Sequence, residues 1–310
     1  MTDAQHTIQV VAHRGASEDA PEHTLAAYRK AIEDGADALE CDVRLTADGH
    51  LVCVHDRRVN RTSNGRGAVS ALELSELAAL DFGSWKRQER AADSPGWEES
   101  PDWNDADRAE HTSVLTLERL LELVVDSSRP VQLAIETKHP TRWAGQVEQR
   151  LLTTLRRFGL DAPPPARGAP DDGYGAGRGD AVAPGARGTG GLREEPRPDE
   201  TWPVRIMSFS ARSLQRVRVA SPYLPTVYLM QFVSPRYRDG RLPPGVHIAG
   251  PSLRIVRNHP AYVSKLKKAG HRVHVWTVNE EADVDLCVTL GVDAIITNRP
   301  KEVLYRLGRA

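Results

Sequence analysis

Sulfur and aromatics are scarce in this chain: 310 residues hold three cysteines, three methionines and four phenylalanines. The cysteines (Cys41, Cys53 and Cys287) are odd in number and scattered, with no C-x-x-C pair. That excludes a disulfide framework and a zinc knuckle. No apolar run approaches the eighteen or more residues of a membrane span. The opening MTDAQHTIQVV has neither the charged region nor the long apolar stretch of a secretion signal. A formal net charge of −1 leaves no basic field for nucleic acid or for an anionic membrane surface. P-loop, nucleophile elbow and dinucleotide fingerprint are all missing. These absences favour a soluble, cytoplasmic protein.

What the chain does have is alternation. Runs that read as strands are Ile8–Ala12, Ala38–Leu45, Val131–Glu136, Val204–Ser208, Thr226–Met230, Val246–Ala249, Arg272–Val278 and Ala294–Thr297. Between most of them lie helical stretches, at Thr24–Asp34, Leu117–Val125, Ala144–Phe158, Ala211–Ala220, Ala261–Ala269, Glu280–Leu290 and Lys301–Leu307. Gly159, Gly270 and Gly291 follow three of these where a terminating glycine is favoured, and Asn279 is placed to cap the helix after it. Eight strands alternating with helices make either a closed (β/α)8 barrel or a doubly wound open sheet. An open sheet is usually announced by a glycine-rich turn after its first strand. Here His13-Arg14 stands there instead, and ionisable residues at several strand ends are the pattern of a TIM barrel.

Two segments interrupt the alternation. Residues 86–111 are polar and acidic, and follow the stretch that ends at His55, so they are expected near the active face. Residues 161–203 hold nine glycines and eight prolines, with too little apolar material to order themselves. Without both, the chain is close to the ~250 residues of a bare barrel. Residues 1–310 therefore read as one barrel domain with two insertions, the second expected to be disordered and opposite the chemistry.

Three acids gather on adjacent strands. Glu40 and Asp42 share one face of the second strand while Cys41 points to the other, and Glu136 ends the next. Oxygen ligands without clustered cysteine favour a hard divalent cation, Mg2+ or Ca2+, over zinc. His13 and His55 flank these acids, and histidine moves protons near neutral pH. Arg14 and Lys138 stand beside the acids as phosphate contacts, as charge balance, or as both. Trp276 either packs on a substrate's carbon face or belongs to the core, and Phe209 carries the same ambiguity. His274 shares the strand and face of Trp276, so it either fills the pore or joins the site.

The order of motifs resembles the glycerophosphodiester phosphodiesterase family. HRG at 13–15 is followed by Pro21-Glu22-His23-Thr24, E-x-D at 40–42, His55-Asp56, the IETK strand, VRIMSFS, VHVWTVN and DAIITNRP. The resemblance implies a barrel that hydrolyses glycerophosphodiesters to an alcohol and sn-glycerol 3-phosphate with a divalent cation. It further implies His13 and His55 as the acid/base pair, and Arg14 and Lys138 as phosphate contacts. Glu40, Asp42 and Glu136 are then the metal ligands. Two positions depart from the family pattern, His23 for the Asn of P-E-N-T and Asn298 for the Asp of T-D-x-P. Both bear on positioning and substrate preference. A phospholipase D-like lyase on the same barrel and a barrel that binds without catalysing are the alternatives.

Overall fold

The structure, a computed structural model, describes residues 7–86, 104–139, 145–161 and 202–309. Nine strands follow one another as β1 (Gln9–His13), β2 (Ala38–Leu45), β3 (Leu51–Cys53), β4 (Gln132–Thr137), β5 (Val204–Ser208), β6 (Thr226–Met230), β7 (Ile248–Pro251), β8 (Arg272–Trp276) and β9 (Ala294–Thr297). All but β3 are parallel, and they close into an eight-stranded barrel because β1 pairs with both β2 and β9. The expected TIM barrel is what the chain forms.

Closure follows from how side chains alternate along each strand. Leu39, Cys41, Val43, Leu133, Ile135, Val204 and Ile206 face outward and are fully buried under the helices. Val273, Val275 and Ile295 do the same on the far side. The inward positions stack in layers. Val11, Ala38, Ala134, Met207, Val227, Leu229 and Ile296 fill the middle of the barrel with a separate apolar plug. Polar inward residues are thereby confined to the two ends.

The seven expected helices form to within two residues at each end, and glycines at 159, 270 and 291 adopt the left-handed conformation that ends three of them, while the helices Leu74–Ala78 and Leu253–Asn258 were not expected. One cap differs. Asn279 does not cap the helix Glu281–Leu290, whose N-cap is Glu280. Its side-chain oxygen instead accepts hydrogen bonds from Thr297 Oγ1 and the Asn298 amide at 3.1 and 3.0 Å, pinning the end of β9. The strand expected at Val246–Ala249 is shifted to Ile248–Pro251, and β8 stops at Trp276 instead of Val278. Within the first interruption, Asp105–Thr112 is a helix with Asn104 and Asp107 forming a capping box. The rest of that segment, and the expected disorder at 161–203, fall almost wholly outside the described residues. Among the described residues, no helix is long and apolar enough to cross a membrane.

Gly15 makes the first turn possible. Its φ is +85°, and a Cβ there would lie 2.6 Å from the Ala27 carbonyl carbon. Gly15→Ala is expected to destabilise the protein by about 2–4 kcal/mol, from backbone strain plus a clash with main chain that cannot step aside. Urea titration of the two proteins checks this, and a cost under about 0.5 kcal/mol would contradict it.

Candidate active site

The acids sit where strand register puts them. Asp42 lies opposite Glu136 across β2 and β4, and His13 lies opposite Glu40 across β1 and β2. One carboxylate oxygen from each of Glu40, Asp42 and Glu136 falls within 4.8 Å of the others. All three side chains are buried. Such crowding is costly without cations. Lys138 Nζ is 3.2 Å from Asp42 and 2.9 Å from Glu136, and Arg14 Nε is 3.2 Å from Asp42.

Two cations do not balance three acids, and the protonation states record the shortfall. Burial and the neighbouring Asp42 raise the pKa of Glu40 well above its ordinary value and lift Glu136 to about 8. Burial pushes Asp42 the same way, but Lys138, His23 and Arg14 outweigh it and hold Asp42 well below the usual range. Both shifts favour the protonated carboxyl at Glu40 and Glu136, the direction expected where no cation supplies charge. Its all-oxygen donor set and spacing fit Mg2+ or Ca2+.

His13 and His55 reach the same place by different routes. His13 ends β1, as expected of a barrel strand. His55 follows β3, which lies outside the barrel: β2 runs past the rim and β3 folds back antiparallel along it. That hairpin returns His55 to the mouth, anchored by Val54 donating to the Asp42 carbonyl and by Arg44 donating to the His55 carbonyl. A satellite core of Val52, Val54, Val59, Val69, Leu77 and Phe82 supports the excursion. Both histidines, Arg14, Glu40, Glu136 and Lys138 line one cavity of about 240 Å3.

Each imidazole has its Nδ1 held. His13 Nδ1 is 2.7 Å from Asn298 Oδ1, and His55 Nδ1 is 2.7 Å from Asp56 Oδ1. An acceptor at Nδ1 places the proton there and leaves Nε2 as the lone pair of the neutral ring. Burial and then Arg14 lower the pKa of His13 to about 3. Burial also lowers that of His55, against the pull of Asp42 and Asp56.

The family model for glycerophosphoryl diester phosphodiesterases matches residues 13–161 and 191–302. The chain belongs to this family. A probable glycerophosphodiester phosphodiesterase 1 of Mycobacterium tuberculosis is 42% identical over 293 residues, covering 94% of this chain and 89% of that one. A glycerophosphodiester phosphodiesterase of Bacillus subtilis is 30% identical over 308 residues, covering 94% and 84%. Among solved structures, a phosphodiesterase of Oleispira antarctica in complex with the product sn-glycerol-3-phosphate superposes with a TM-score of 0.70. It is 23% identical and covers 97% of this chain and 96% of that one, a likeness of fold.

His13, Arg14, Glu40, His55, Glu136 and Lys138, expected at strand ends, line this one mouth, with Asp42 buried against Glu136 and Lys138 beside it. Phe209 and Trp276 line the same cavity, ring to ring in a T-shape with centroids 5.4 Å apart, and Trp276 Nε1 donates to the Gly250 carbonyl. His274 does not join them. It lies one layer down the barrel and lines a different cavity, at the opposite end.

Sequence reading marked His23 and Asn298 as bearing on positioning without saying what they hold, and it missed Arg61 and the part played by Glu22. Asn298 holds His13. His23, buried and at φ +61°, bridges Tyr28 Oη and Asp42 Oδ2 at 2.8 and 2.9 Å. Glu22 takes hydrogen bonds from Arg14 and Arg61, and Arg61 also donates to Asp56. A continuous chain from His55 through Asp56, Arg61 and Glu22 to Arg14 results. The signal was present in the P-E-x-T motif and in T-N-R-P, but nothing local says which residue each side chain will meet.

Proposed function

We propose that this enzyme hydrolyses glycerophosphodiesters to an alcohol and sn-glycerol 3-phosphate, with a divalent cation held by Glu40, Asp42 and Glu136. The observation that carries this reading is a cluster of those three acids, two of which, Glu40 and Glu136, line one cavity with two histidines that are each fixed through Nδ1. The cation, when bound, supplies charge that polarises the phosphoryl group.

The chain's own groups do the rest. Arg14 Nε is buried and, although close to Asp42, lacks a hydrogen-bond acceptor, so its N–H remains for a phosphoryl oxygen. Lys138 adds a point charge beside it. Asp56 gives His55 a counter-charge that the neutral Asn298 does not give His13. His55 is therefore suited to carry the proton to the departing alkoxide, and His13 to accept one at Nε2 from the attacking oxygen, which is either water or a glycerol hydroxyl whose cyclic phosphate water then opens. Phe209 and Trp276 offer an apolar wall to the carbon face of glycerol.

The test is release of glycerol 3-phosphate from glycerophosphocholine and glycerophosphoethanolamine, with EDTA and then with Mg2+ or Ca2+ restored. Lysophosphatidylcholine runs in parallel. Turnover that the chelator stops and metal restores supports the reading. Turnover of lysophosphatidylcholine alone replaces it with a lipid-directed activity, and no turnover of any substrate leaves a binding barrel.

Asn298→Asp tests the histidine assignment. A carboxylate at Nδ1 favours the protonated ring, so the pKa of His13 rises and the base is lost at a higher pH than before. The acidic limb of kcat/KM is expected to move upward by about one pH unit. An unmoved limb would remove His13 from the base role.

A further inference from the structure

The end of the barrel opposite the acids holds a second polar cluster that the reaction does not use. Arg205 enters from β5 and is buried. Its terminal nitrogens donate to Gln132 Oε1 at 3.1 Å and Gln9 Oε1 at 2.6 Å, both neutral, and Gln9 donates in turn to Gln132. Among the described residues no carboxylate forms an ion pair with Arg205. Burial and nearby Arg272 lower its pKa to about 10.

Among the described residues, two buried nitrogens here have no hydrogen-bond partner, Arg205 Nε and His274 Nδ1. Arg205 and His274 are more than nine-tenths buried, and both line a cavity of about 250 Å3 together with Gln9, Gln132 and Arg272. Two acids also line its wall, and Asp37 partly offsets the positive charge of Arg205. Asp37 accepts from the Val10 amide and from Arg309, and Asp293 accepts from the Val273 amide. A buried guanidinium with an idle N–H, beside a second arginine and an idle imidazole nitrogen, is costly as it stands. A ligand with several negatively charged oxygens satisfies both idle nitrogens at once.

We propose that this cavity, at the N-terminal end of the barrel strands, is a binding site for a small oxyanion of the phosphate type. Arg205 Nε, His274 Nδ1 and Arg272 are its contacts. The apolar plug of Val11, Ala134, Met207, Val227, Leu229 and Ile296 separates it from the acids, so the ligand binds without entering the catalytic mouth. Such a ligand stabilises the fold by mass action.

The experiment is thermal melting of the full chain in EDTA, with phosphate replacing chloride at constant ionic strength. An Arg14→Gln/Lys138→Gln background silences anion binding at the catalytic mouth. Phosphate is expected to raise Tm saturably by about 4 °C, and adding Arg205→Gln is expected to remove that rise. No saturable rise, or a rise that Arg205→Gln leaves intact, overturns the proposal. Should that variant not fold, the unaltered protein decides. An anomalous peak from soaked selenate within hydrogen-bond distance of Arg205 Nε and His274 Nδ1 supports the site. Its absence at concentrations that saturate the melting response overturns it. In the otherwise unaltered enzyme, Arg205→Gln is expected to leave kcat within about twofold, since a site beyond the plug touches no reacting atom; a loss beyond tenfold would place Arg205 in the reaction instead.

Discussion

Replacing His13 or His55 by alanine is expected to lower kcat on glycerophosphocholine by about 10²–10⁴ while KM changes only severalfold. In the proposed mechanism neither side chain is needed to hold the phosphate, a role assigned there to Arg14, Lys138 and the cation. Both are placed to move protons, because hydrogen bonds to Asn298 and Asp56 fix the tautomer in which Nε2 is free. The loss therefore belongs to kcat. The double variant is expected to fall little below the poorer single one, since proton removal and proton delivery serve one displacement. Steady-state kinetics across pH 5–9, with melting curves to show that each variant is folded, make the measurement. A variant that keeps more than about a tenth of wild-type kcat takes that histidine out of the proton-transfer role.

The second large effect concerns the acids. Asp42→Asn is expected to abolish turnover, by about 10³-fold or more, and to cost the metal-free protein about 3–5 kcal/mol. Asp42 is the counter-charge for Lys138 and Arg14 and the acceptor for His23. Its removal leaves Lys138 only Glu136 and Arg14 only Glu22, and takes away the carboxylate that both cations share. Glu136→Gln, by contrast, is expected to be lethal to activity and mild in stability. Glu136, with a pKa raised to about 8, is already mostly protonated at neutral pH without metal. The same protonation predicts a signature of metal binding. Ligation needs the carboxylate, so Mg2+ or Ca2+ added to the metal-free protein at pH 7 is expected to release about one to two protons. Calorimetry in buffers of different ionisation enthalpy counts them. Metal binding that releases no proton would mean that Glu40 and Glu136 are not both ligands.

Much of this was legible in the chain itself. Eight apolar runs alternating with helical ones gave the barrel, because side-chain alternation and helix periodicity are local properties. The motif order was enough to place the family, and Glu40, Asp42 and Glu136 were readable as a set because period-two alternation puts them on the same side of neighbouring strands. His13 followed for the same reason. What could not be read was whatever depends on a partner distant in sequence. His55 was expected beside the acids, but not its route: it arrives through a hairpin that leaves the barrel and returns, held by the β2–β3 pairing and the small core beneath it. Asn298 is 285 residues from the histidine that it holds. His274 and Trp276 share a face of one strand, yet the barrel's tilt and layering send one to each end of the plug. The sequence by itself determined which elements form, which faces are apolar and which residues carry charge. Only the closed barrel decided which of those charges meet, since strand register and closure bring β1 beside β9 and turn local alternation into a shared interior.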